Sequence, residues 1–181
     1  MYQKLLVSIT LILFLSSCSL IPYKNFKIMQ NGMYPTIPKG KTIWVKKNPY
    51  QNVNGVKYGD IVVFTRIVDN VMYDYIWRIV ALPGDTIKIE NSRINLNSKD
   101  LELTLIDSDS TYNIFEEKNS ESSYLVVYMK NPDSSITIPE GILIVPENEF
   151  FVMGDNRNNA YDSRYHGTIK FESITAKVNS K

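Results

Sequence analysis

Short runs of β-branched and aromatic residues, cut at close intervals by turn residues, constrain this chain more than any other feature. Pro38-Lys39-Gly40, Tyr58-Gly59-Asp60 and Pro83-Gly84-Asp85 set proline, which fixes φ, or glycine, which admits positive φ, where a chain reverses. Between these turns, residues 42–45, 61–64 and 75–82 read as strands. Residues 86–89 and 93–96 flank Glu90-Asn91-Ser92, and their alternation of apolar and polar side chains predicts a hairpin with one buried face. Residues 125–129 and 142–145 read as two more strands, whereas the clustered acids and serines of 107–123 predict a loop excursion. No long amphipathic helix pattern appears and no repeat. The expected fold is mostly β.

With 181 residues and 44% hydrophobic content, the chain can bury one domain's core and a modest elaboration. A formal charge of +1 supplies no basic field, so nucleic acid is not an expected partner. One cysteine rules out an internal disulfide, and one histidine beside it rules out a histidine- or thiolate-rich zinc site. Composition does not exclude a carboxylate metal site, but the chain shows no clustered acidic ligand loop, and no cofactor is expected.

The N-terminus carries a targeting pattern. Lys4 precedes an apolar run over 5–15, which ends in Leu15-Ser16-Ser17-Cys18. A short positive region before an apolar stretch of this length fits an export signal, and Leu-Ser-Ser-Cys resembles a bacterial lipobox. The reading is a signal segment over 1–17, lipidation at Cys18 and a tether over 18–30; the alternative is an uncleaved anchor helix. Either version places the remainder outside the cytoplasm and attached to a membrane, on the periplasmic side in a two-membrane cell.

Four segments recur in a recognisable order. They are Gly32-Met33-Tyr34-Pro35-Thr36; Tyr58-Gly59-Asp60-Ile61-Val62-Val63-Phe64; the run Asp74-Tyr75-Ile76-Trp77-Arg78 continuing to Pro83-Gly84-Asp85; and Phe151-Val152-Met153-Gly154-Asp155-Asn156-Arg157, continuing to Asp162-Ser163-Arg164. Together they resemble the bacterial type I signal peptidases, whose chemistry is a serine–lysine dyad. The resemblance implies a β-sheet or barrel core over 31–96 and 141–181, with a variable β-subdomain inserted over 97–140.

It also implies what is missing. In that family a serine attacks the peptide carbonyl and a desolvated lysine takes its proton. Those positions map onto Gly32, which has no side chain, and Trp77, whose indole N–H only donates. The serine that orients the lysine maps onto Ala160, and an oxyanion-donating position maps onto Gln30. Met33, Pro35 and Thr36 are expected along the substrate groove with Gln30. Arg78, Asp162 and Arg164 match charged residues that brace the active-site region through ion pairs. Thr36 and Ser163 offer hydroxyls, but His166 would have to serve as their base, at a position usually held by an aromatic.

The leading expectation is therefore a non-catalytic, membrane-tethered relative that binds extended, signal-peptide-like segments of exported proteins. Two alternatives stand beside it: a signal-peptide hydrolase with a relocated nucleophile or partner-supplied groups, and a purely structural envelope lipoprotein.

Overall fold

A computed structural model describes residues 22–90, 93–133 and 139–179. The signal segment and Cys18 lie outside the described residues. Fourteen strands dominate the described chain, and every pairing between them is antiparallel. The mostly β expectation is met.

The main sheet has seven strands. In chain order they are β1 (Tyr23–Lys27), β2 (Thr42–Lys47), β3 (Ile61–Val68), β4 (Val71–Ala81), β12 (Glu149–Met153), β13 (Ile169–Lys170) and β14 (Ile174–Val178). Across the sheet they run β1-β2-β14-β3-β4-β12-β13, so the C-terminal strand closes beside β2 and β3. Residues 61–64 of β3 are all buried, because this stretch lies between β14 and β4 and is covered on both faces. The β3–β4 turn at Asp69-Asn70 has both residues at positive φ (51° and 61°), the conformation that matches the twist of a two-residue hairpin.

A four-stranded sheet is built from β5 (Thr86–Glu90), β6 (Arg93–Leu96), β7 (Lys99–Asp100) and β11 (Gly141–Ile144). Its β5–β6 pair runs in register from Ile87↔Leu96 to Glu90↔Arg93, the hairpin expected from the alternation. Ile87, Ile89, Ile94 and Leu96 all point into one apolar cluster, each burial worth about 1.5–3 kcal/mol.

The third sheet comprises β8 (Glu102–Ser108), β9 (Tyr112–Lys118) and β10 (Ser123–Met129). Here the expectation of a loop over 107–123 is corrected. The segment carries β9, whose Phe115 packs edge-on against Tyr128 of β10 and whose Glu117 is buried. Ser110, Ser120 and Ser122 fall in the two turns, where Asp109 accepts the Thr111 and Tyr112 amides and Asn119 accepts those of Glu121 and Ser122. The one α-helix among the described residues is the single turn α1 (Ser163–His166), N-capped by Asp162.

Candidate functional site

After β1 the chain makes a turn over 31–37, held by Tyr34 N–H to Asn31 O (3.1 Å) and Ile37 N–H to Met33 O (2.7 Å). The β12–α1 connection fastens this turn in place. Asn156 N–H donates to Gly32 O at 3.0 Å, and the Asn156 side-chain amide reaches Asn31 O at 3.3 Å. β4 delivers Trp77 opposite Val62 of β3, so its indole projects into the same space.

Gly32, Trp77, Gly154 and Ala160 thereby converge. A Cβ on residue 32 would stand 2.5 Å from Trp77 Cη2 and 2.6 Å from Cζ3. A Cβ on residue 154 would overlap Ala160 Cβ and lie 2.6 Å from Gly32 O. The glycines are thus required by close approach, and the tryptophan ring, 5% exposed, belongs to the main apolar core. Its Nε1–H is buried with no acceptor among the described residues, an omission that typically costs about 1–3 kcal/mol. Nothing at positions 32, 77 or 160 can attack a carbonyl or accept a proton.

The remaining hydroxyls are committed elsewhere. Thr36 Oγ1 donates to Asp155 (2.5 Å) and accepts from Arg78 Nη2 (3.3 Å). Ser163 Oγ, buried, accepts the Val152 amide at 3.0 Å. His166 Nδ1 faces Gly167 O at 2.9 Å, and its ring is hydrogen-bonded to neither hydroxyl. Burial, reinforced by the Arg66 charge, lowers the His166 pKa.

Three buried ion pairs surround this packed centre. Arg78 pairs with Asp155 through Nε (2.8 Å) and Nη2 (2.6 Å), donates to Gly59 O, and lies over the Tyr124 ring. Burial opposes its charge, but the Asp155 carboxylate outweighs burial and raises the guanidinium pKa. Arg164 grips Asp162 through two 2.8 Å bonds, and Asp162 also accepts the Gly154 amide at 2.9 Å. Arg157 and Glu117 form a bidentate pair at 2.6 Å and 2.6 Å, and the Tyr124 hydroxyl completes Glu117's shell at 2.9 Å. Asp155, Arg157 and Glu117 were not singled out as site residues by the sequence reading. Asp155 and Arg157 stood inside the fourth motif, but nothing in the chain pairs Glu117 with a residue forty positions away.

Two depressions flank the centre. A cleft of about 330 Å³ is lined by Gln30, Gly32, Met33, Tyr73, Tyr75 and Trp77, among others. Ile28 and Met29 join Gln30 and Met33 along the turn side of this cleft. Pro35 and Thr36 line a second, larger hollow of about 1110 Å³, with Trp44, Arg78, Tyr124 and Leu125. No group of three or more histidine, cysteine, aspartate or glutamate residues among the described residues is arranged to hold a metal. No helix among them is long and apolar enough to cross a membrane.

Comparison with known proteins places the chain in a family. The family model for signal peptidase, peptidase S26, matches residues 1–181. The chain is 30% identical to signal peptidase I of Buchnera aphidicola subsp. Schizaphis graminum, over 86% of this chain and 66% of that protein. It therefore spans just under two thirds of that relative's length. It is 29% identical to signal peptidase I of Bacillus caldolyticus, covering 88% of this chain and 79% of that one. Signal peptidase IB of Staphylococcus aureus is 28% identical, over 84% and 74% respectively. A solved signal peptidase I from Enterococcus faecalis superposes with a TM-score of 0.41 at 23% identity, covering 69% of this chain and 97% of that one. The chain belongs to the signal peptidase family, peptidase S26.

Proposed function

We propose that this chain is a non-catalytic member of its family, tethered to a membrane on the extracytoplasmic side, that holds extended peptide segments in the cleft between residues 26–33 and β4 without cutting them. The observation that carries the reading is the interlock of Gly32 with Trp77. The space a nucleophile's Cβ would need is filled by the indole, and its other near neighbour is the Asn159 carbonyl oxygen at 3.2 Å; a donor-only ring and a backbone carbonyl offer no general base.

Binding does not require the dyad. Among the described residues, 71–77 of β4 pair with β3 alone, and the outer edge of that stretch could hydrogen-bond an added strand. Phe26, Ile28, Met33, Tyr75 and Ile76 give the cleft walls for apolar side chains. The full-length protein, incubated with a fluorescent signal-peptide-like peptide, is expected to raise its anisotropy while mass spectrometry finds the peptide whole. Cleavage at one defined bond, lost on a single point change, would overturn the non-catalytic reading. Absence of any binding would overturn the peptide-holding reading in favour of a purely structural role.

A further inference from the structure

The larger hollow shares only Ile37 with the cleft. Part of its lining follows from strand alternation. In β2, Ile43 and Val45 turn into the main core, as Ala176 and Val178 of β14 do, so Trp44 points the other way. Register brings Tyr23 and Lys177 to the same side, because each stands opposite Lys46, two residues beyond Trp44. Asn179 N–H reaches Trp44 O at 3.2 Å and completes this face. Trp44 is 59% exposed, Tyr23 44% and Leu125 of β10 41%, and all three line the hollow. Charge gives it a sign. The charged residues lining it are Lys41, Asp60, Arg78 and Lys177. Asp155 neutralises Arg78, and Asp60 accepts from Lys177 at 2.5 Å. Lys41 is left uncompensated, and Lys46 likewise has no carboxylate partner among the described residues.

We infer that this hollow binds an acidic peptide segment of a partner protein, which sets apolar side chains against Trp44 and Leu125 and carboxylates at Lys41 and Lys46. Size favours a stretch of chain over a small molecule. The volume of about 1110 Å³ exceeds the roughly 300–1,000 Å³ of small-ligand sites. Tryptophan and tyrosine are the side chains that most often carry binding energy between proteins, and here both stand open beside a recess. The lysines supply selection, since charges at the edge of an interface steer a partner of opposite sign and reject one of like sign. A wholly apolar partner would leave both lysines unused. A polyanion without apolar side chains would leave the recess empty. The inference does not depend on peptide holding in the cleft, because the two linings are almost wholly different.

Full-length protein is mixed with a short fluorescein-labelled peptide that alternates glutamate with leucine. Anisotropy is expected to rise, and an unlabelled copy should shield the protein's own fluorescence from acrylamide, since Trp44 is the exposed one of its two tryptophans. Peptides alternating lysine with leucine, or glutamate with serine, should not bind. Trp44→Ala should weaken binding about tenfold or more with the circular dichroism spectrum unchanged. Lys41→Glu combined with Lys46→Glu should weaken it several-fold, an effect that fades at about 1 M salt. Equal binding by the lysine–leucine peptide, or by the Trp44→Ala variant, overturns the inference. So does displacement of the labelled peptide by a signal-peptide-like one, which puts it in the cleft. Shielding of Trp44 by anionic vesicles alone, or by rising protein concentration alone, gives the surface to a bilayer or to a second copy and overturns it as well.

Discussion

Gly32 and Trp77 interlock, with the indole Cη2 standing 2.5 Å from the place where a Cβ on residue 32 would lie. Gly32→Ser alone is therefore expected to destabilise the fold by about 1–3 kcal/mol through overpacking and to give no peptidase activity. Trp77→Ala alone should cost about 3–5 kcal/mol by leaving a cavity. In the double variant the serine enters vacated space, so the two effects should fall short of their sum by about 0.5–3 kcal/mol. Denaturant melts of the four proteins measure the difference, and simple additivity would contradict the interlock.

Gly154 is held to glycine by Ala160 and by Gly32 O. Gly154→Ala should therefore be among the most damaging single methyl additions in this protein, at about 1–3 kcal/mol or more. Gly84→Ala provides a contrast. It meets no atom within 4 Å but sits at φ +86°, so its cost is backbone strain alone, about 1–2 kcal/mol. Thermal melts of both variants distinguish crowding from strain, because replacing Ala160 by glycine should relieve part of the first, with the Gly32 O contact left in place, and none of the second.

The strands that form the core were readable because their patterns were local. Ile87, Ile89, Ile94 and Leu96 alternate with polar neighbours, and one buried face explains them. The outer halves of β3 and β4 were missed, since the strand reading stopped at 61–64 and 75–82, while Arg66 and Asp69-Asn70 break the apolar pattern around the exposed Ile67, Val71 and Met72. β9 was missed for a related reason. Glu116, Glu117 and Lys118 weaken the hydrophobic signal, and only the tertiary partner Arg157 makes Glu117 an interior residue. At the site, the motif order located Gly32, Trp77 and Ala160 and their convergence followed. The counterpart of Arg78 did not follow, because choosing Asp155 needs the path of the chain.

His166 should make stability depend on pH. Its folded pKa lies below the ordinary histidine value of 6.5 because burial, and then the nearby Arg66 charge, disfavour the imidazolium. The unfolded chain therefore binds the proton more readily, so stability falls as pH drops through about 6.5 toward the folded pKa and levels off below it. Asp162 acts weakly in the opposite direction. His166→Phe should flatten this part of a melting-temperature profile taken between pH 7.5 and 5. A profile as steep as the parent's would place the dependence in other groups.

Breaking the Arg157–Glu117 pair should be costly. Both side chains are almost fully buried, at 1% and 2% exposure, so Glu117→Ala strands a guanidinium in the interior. Burial works against the Arg157 charge and Glu117 more than compensates, which is why its pKa lies high in the intact protein. The expected loss is about 3–5 kcal/mol, and a double change to apolar residues of similar volume should recover most of it. Urea unfolding of the single and double variants reads both.

The same pair changes how the segment between β7 and β11 can be treated by an engineer or by evolution. Val127 N–H bonds Asp155 O at 2.9 Å, and Arg157 N–H returns to Val127 O at 3.0 Å. The insert thus supplies both a backbone bridge and the counter-charge for the strand end that carries Gly154. A graft that exchanges this segment for a relative's must bring an acid at position 117, or also change position 157. What looks in the chain like an interchangeable module is, by its wiring, one half of a joint.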